Sequence, residues 1–192
     1  MSKKVLWFDV ETTGLYGWKH DIIQFAYIVE IDRQVKEEGV FTMQPRNYGE
    51  AIDESALKIH GMTRSDLMQF QSAQSGHEQI LSVLNKYINK GDKNDKFIPA
   101  GYNTKFDMEF LQANFKKGGS TGFGSYFDYH YIDPMVMVNY LRYLGAFPTL
   151  ENVKLITVAK HFGLEFKAHD AMEDIRTTRM IAHKLNNFIT IG

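Results

Sequence analysis

Asp9 and Glu11 stand two positions apart at the end of an apolar run, Val5-Leu6-Trp7-Phe8-Asp9. Side chains alternate faces along a strand, so in an extended segment the two carboxylates point the same way. Two acids pressed together repel unless a cation lies between them. Mg²⁺ and Mn²⁺ suit the pair, because hard divalent ions take carboxylate oxygens and keep part of their water. Thr12, Thr13 and Gly14 follow as a polar turn where backbone can approach a ligand closely.

Two later segments carry chemistry of the same kind. In Gly101-Tyr102-Asn103-Thr104-Lys105-Phe106-Asp107 a strand end runs into a helix, and Asp107 falls in the first turn, where the helix dipole favours a carboxylate. In His169-Asp170-Ala171-Met172-Glu173-Asp174 the histidine precedes the last helix. Positions five apart do not share a helix face, so His169 and Asp174 converge only if His169 lies on the preceding loop. Asp170, four before Asp174, is a helix cap or an outer acid.

The elements that must position these groups are legible from periodicity. Ile22 to Ile31 reads as a long strand, joined through Asp32-Arg33-Gln34 to a second run, Val35 to Met43, as a hairpin. Ile52 to His60 is a short helix, capped by Asp53 and stopped by Gly61. His77 to Asn89, Thr104 to Lys116 and Asp170 to Asn186 are amphipathic helices, and Phe97 to Gly101 is a buried strand. Thr149 is expected to cap a helix ended by Gly163. Phe127 to Asp133 is expected as a last strand, with Pro134 in the first turn of the next helix. Residues 118–124, rich in glycine, are read as a mobile loop. These elements make one α/β domain over residues 1–192.

Composition narrows the function classes. The 192 residues are 44% apolar and 23% charged, ordinary for a globular protein. There is no cysteine, which excludes disulfides, thiolate metal sites and a cysteine nucleophile. No signal peptide or membrane span is readable, and the expected location is cytoplasmic. A net charge of −1 argues against coating nucleic acid by charge alone, but suits an enzyme that grips only a strand end through metal ions.

The three acidic segments, in this order, resemble the motifs of the DEDDh group of 3′→5′ exonucleases in the ribonuclease H-like superfamily. Phe8 to Gly14 matches the first motif, Asn103 to Asp107 the second, and His169 with Asp174 the third. Ala56-Leu57-Lys58-Ile59-His60-Gly61-Met62-Thr63 resembles a further family segment. Histidine at position 169 separates the chain from the sister group that carries tyrosine in its third motif.

The resemblance implies a ribonuclease H-like fold. Its central five-stranded mixed sheet has three antiparallel strands, then two parallel ones, with helices on both faces. It implies two Mg²⁺ or Mn²⁺ ions held by Asp9, Glu11, Asp107 and Asp174, with His169 as general base. It also implies that Thr12, Thr13, His60, Asn103 and Phe106 grip the terminal nucleotide and that Leu15 wedges between the last two bases. The expected reaction is release of nucleoside 5′-monophosphates from single-stranded 3′ ends, DNA favoured over RNA. Thr12 leans toward the proofreading and ribonuclease T-type members, where a DNA polymerase or replication partner is possible. Lys116, Lys117 and Arg142 are candidates for lining the strand's path, whereas Arg176, Arg179 and Lys184 read as a solvated helix face.

Two other readings fit less well. A haloacid dehalogenase-type phosphatase would want an acidic motif at a later strand end, but Gly91 to Asp95 lies in a polar loop. A non-catalytic nucleic-acid-binding module would lack a metal or base position, and here each is filled.

Overall fold

A computed structural model describes residues 3–49, 51–165 and 170–188. Its sheet has the order β3-β2-β1-β4, with β1 (Lys4–Thr12), β2 (Ile22–Ile31) and β3 (Gln34–Thr42) antiparallel and β4 (Phe97–Ala100) parallel to β1. The β2–β3 hairpin turns through Asp32 and Arg33, both at positive φ (50° and 66°). A two-residue turn of that hand matches strand twist.

β1 is central and apolar on both faces because both are covered. Leu6, Phe8 and Val10 join Phe25, Tyr27, Phe97, Phe110 and Phe115 in the larger core, under α3 (Ala73–Tyr87) and α4 (Thr104–Lys117). Val5 and Trp7 face the other way, onto Ala26, Ile28, Ala100, Ala171 and Ile175, under α8 (Ala171–Leu185). Asp9 and Glu11 continue this second row. The strand's alternation therefore delivers both acids to the face that α8 covers.

The short helices α1 (Glu54–His60) and α2 (Arg64–Gln69) follow β3. Asp53 caps α1 by accepting from the Ser55 N–H, and Gly61 ends it in the left-handed region at φ 67°. The capping box of Thr63 and Asp66 starts α2, a helix the periodicity does not suggest. α3 starts at Ala73, four residues before the expected His77, because the Ser72 side chain caps it. After α5 (Phe123–Tyr126), Asp133 caps α6 (Pro134–Tyr143) with Pro134 in its first turn. α7 (Leu155–His161) follows Lys154, which makes no side-chain cap. Thr149 therefore caps nothing, although Gly163 does end the helical region at φ 67°.

The fifth strand is reduced to two isolated parallel bridges, Phe97 with Phe127 and Ala100 with Ile132. Between them the Asp128 carboxylate accepts from the His130 N–H at 2.9 Å, and this turn throws Tyr129 into solvent, 83% exposed. The 118–124 stretch is anchored at Ser120. Buried His77 lies between Asn114 Oδ1 (2.6 Å) and Ser120 Oγ (2.7 Å), fastening the start of the loop to α3 and α4. Among the described residues no helix is long and apolar enough to cross a membrane.

Candidate active site

The end of β1 is tied down by its own turn. The Thr12 hydroxyl donates to the Gly14 carbonyl at 2.7 Å. Thr13 is fully buried, donating its N–H to Asp21 O (2.9 Å), accepting from Asp53 N (2.8 Å) at its carbonyl and from Asp21 N (3.0 Å) at its hydroxyl. The strand pairing shifts between Glu11 and Thr12, so regular structure stops where the acids lie.

α4 is aimed at this strand end by a second set of bonds. Asn103, the residue before the helix, takes the left-handed conformation at φ 62°. The Asp133 carboxylate accepts from the N–H groups of Asn103 (3.2 Å) and Thr104 (3.1 Å), while the Thr104 hydroxyl donates to Gly101 O (2.9 Å). Asp107, one turn on, is buried and accepts the Val10 N–H at 3.0 Å. α8 supplies the third approach. Its cap Asp170 accepts from Met172 and Glu173, and Asp174 N donates to Asp170 O at 2.8 Å. One carboxylate oxygen from each of Asp9, Glu11 and Asp174 lies within 4.8 Å of the others.

Four acids in one place are unfavourable without a cation. Burial pushes the Asp9 carboxyl well above its ordinary value, and the charges of Asp107, Glu11 and Asp174 push it further. Asp107 is also raised, chiefly by burial, although the N–H groups of Val10 and of Asp107 itself pull the other way. An all-oxygen donor set with strained ionisation is what a hard divalent ion relieves. The residues fit such a metal.

Asp9, Glu11 and Asp174 thus come together as expected, with Asp107 anchored beside them. His169 lies outside the described residues. His60 sits against the site, its Nδ1 paired with the Glu11 carboxylate and its Nε2 donating to Thr12 O at 3.2 Å. Phe106 packs on Phe110, ring centroids 4.9 Å apart, and joins the core edge. Leu15 and Asn103 are exposed. Asp133 is the residue that sequence reasoning misses. An aspartate ahead of Pro134 signals a helix cap, but nothing local says that it also orients α4.

Sequence and fold comparisons agree with this geometry. The RNase_T exonuclease family matches residues 6–181, and the chain belongs to that family, within the DEDDh-type 3′→5′ exonucleases of the ribonuclease H-like superfamily. A PolC-type DNA polymerase III from Halalkalibacterium halodurans is 28% identical over 162 residues, 84% of this chain and 10% of the polymerase. The PolC-type enzyme of Clostridium perfringens is 26% identical over 175 residues, 91% and 10%. Among solved structures, E. coli exonuclease I in complex with a dT13 oligonucleotide superposes with a TM-score of 0.79 at 22% identity, covering 96% of this chain and 41% of that one. Its zinc-bound single-stranded DNA complex gives 0.81 at 22%, covering 98% and 41%. The chain therefore spans about a tenth of these polymerases and two-fifths of exonuclease I.

Proposed function

We propose that this chain is a metal-dependent 3′→5′ exonuclease domain that removes nucleoside 5′-monophosphates from single-stranded DNA ends in the cytoplasm. The observation that carries the reading is the convergence of Asp9, Glu11 and Asp174 within 4.8 Å at the end of β1, with Asp107 buried alongside. Asp9, Glu11, Asp107 and Asp174 would hold two Mg²⁺ or Mn²⁺ ions. Bound there, such ions stabilise charge on the phosphoryl oxygens and make water a better nucleophile at neutral pH.

The chain's own residues do the rest. His169, just before the Asp170 cap of α8, takes the proton of the attacking water, a task for a group titrating near neutrality. Gly14 is buried in the turn beside which the 3′-terminal nucleotide would lie, its carbonyl held by the Thr12 hydroxyl, and Leu15 stands in solvent next to it. His60 fixes Glu11 through its pair with that carboxylate and would border the terminal sugar. Preference for DNA is supported by the oligodeoxynucleotide complexes of the exonuclease I fold, and a polymerase link by the PolC-type relatives.

The test uses 5′-labelled single strands of DNA and RNA, with Mg²⁺ or Mn²⁺, with EDTA, and with Asp9→Ala. A ladder shortening from the 3′ end on DNA, lost with EDTA and with the substitution, is expected. Faster degradation of RNA would overturn the sugar preference. No ladder on either strand would leave a binding module on the same fold.

A further inference from the structure

The loop after the first acidic segment is built with care and yet displays apolar side chains. Leu15 is 68% exposed, Tyr16 57% and Trp18 79%. The loop is rigid. Tyr16 O accepts from Lys19 N (2.9 Å) and His20 N (2.7 Å), and Tyr16 N donates to His20 Nδ1 at 3.0 Å. Lys117, from the end of α4, donates to His20 O at 2.6 Å and pairs with Asp21 at 2.7 Å. Two glycines permit the close packing. A Cβ on Gly14 would meet the His20 ring at 2.5 Å, and one on Gly17 the Glu109 carbonyl at 3.1 Å.

This frame holds three rings in a graded stack. The Tyr16 ring lies 6.0 Å from the buried His20 ring at an interplanar angle of 24°, and 6.1 Å from the Trp18 ring at 29°. The series runs from a buried imidazole to an indole with four-fifths of its surface in water. Trp18 borders a groove of ≈ 910 Å³ that continues along α4, past Lys116, to Ser120 and Phe123. Lys19 and Lys116 are exposed, and neither forms an ion pair among the described residues. Nearly parallel rings that end at solvent, beside uncommitted cations, suit a polyanion with flat, stackable units. A protein partner would bury the same rings but gives no reason for their parallel arrangement.

We infer that Tyr16 and Trp18 form a stacking platform that receives bases of the single strand upstream of its 3′ end. Lys19 and Lys116 flank it as phosphate contacts, and the strand leaves along the groove beside α4. This rests on the exonuclease reading, because the platform begins two residues beyond the Thr12–Gly14 turn. Stacking on an aromatic face tolerates any base. The platform therefore contributes affinity and length dependence without sequence preference.

Trp7 and Trp18 are the two tryptophans of the chain, and Trp7 is 3% exposed. Both emit, so the Trp18→Phe protein, which keeps only Trp7, supplies the background, and the difference in emission reports on Trp18. In the 192-residue Asp9→Asn protein, which leaves the strand intact, a 5′-labelled ten-nucleotide deoxythymidine strand is titrated. Its binding is followed by anisotropy and Trp18 by emission. Emission should be quenched as the strand binds, and much less by a dinucleotide. Trp18→Ala should weaken strand binding between about fivefold and a hundredfold, the worth of one stacked base. Its melting temperature should not move, because the ring is exposed. Trp18→Phe should restore most of the affinity. A strand that binds without quenching, with equal affinity for Trp18→Ala, would overturn the platform and leave the exonuclease reading standing. A protein that binds no strand at all would remove both.

Discussion

Asp9→Asn should make the metal-free protein more stable while abolishing its activity. In the fold, Asp9 shares a 4.8 Å neighbourhood with Glu11 and Asp174. Two unit charges at that separation repel by about 3 kcal/mol at an effective dielectric constant of about 20. The full sum is not felt, because Asp9 answers by holding its proton and His60 already pairs with Glu11. A net relief of about 1–3 kcal/mol is expected, which for a chain of this size raises the melting temperature by roughly 2–10 °C. The sign with pH follows from the raised Asp9 carboxyl. Above its ordinary value of 3.8 the unfolded chain has lost a proton that the folded protein still binds. Parent stability therefore falls as pH rises from about 4 through the raised folded value, and the substitution removes the share of that slope due to Asp9, leaving that of Asp107. Thermal melts in EDTA at pH 8 and pH 4 measure it. The variant should melt above the parent at pH 8 and together with it at pH 4. Mn²⁺ should raise the parent's melting temperature much more than the variant's, since an ion that binds only the folded state stabilises it. A variant that melts at or below the parent at pH 8 would refute the reasoning, as would a parent indifferent to Mn²⁺.

His169→Ala should lower kcat by roughly 10²–10⁴-fold, the usual worth of a positioned base. Equal turnover of parent and variant would discard the assignment. Asp133→Ala removes the α6 cap and strands the amide of Thr104, for a loss of about 2–4 kcal/mol in urea unfolding. Because Asp133 also orients α4, activity should fall further than the folded fraction. Gly101→Ala places a Cβ 2.9 Å from the Phe8 carbonyl, so backbone must shift between β1 and the start of α4. A cost of about 1–3 kcal/mol is expected, read by thermal melts.

The acids are legible in the sequence because each sits where a local rule breaks. Asp9 and Glu11 interrupt an apolar strand, and Asp107 and Asp174 lie in first helical turns. The central strand, the hairpin and the helix caps at Asp53 and Gly61 come from the same local signals. Cross-chain bonds are not legible. Ser72 rather than His77 opens α3, and His77 is instead committed to Asn114 and Ser120, neither near it in sequence. The expected last strand fails because an Asp128 turn competes for the backbone between two bridging residues, which alternation alone does not reveal. His60 is legible as a site residue, but its partner Glu11 lies 49 positions away and no spacing could name it.

Magnitudes explain why two helix N-termini meet at one strand end. α4 and α8 each begin at the acidic site and carry Asp107 and Asp174 in or near the first turn. A helix dipole stabilises such a carboxylate by about 0.3–1 kcal/mol, rising to about 2 in partly buried geometry. The Val10 N–H on Asp107 adds a charge-assisted bond of about 1.5–3 kcal/mol. These contributions are enough to keep Asp107 folded against β1. They fall short at Asp9, which burial raises first and which the charges of Asp107, Glu11 and Asp174 raise further. The backbone can hold the acids in place but cannot neutralise them. Asp9, on the middle strand and nearest to all three others in its electrostatics, is therefore where a divalent cation gains most from this fold, and where its removal should be felt first.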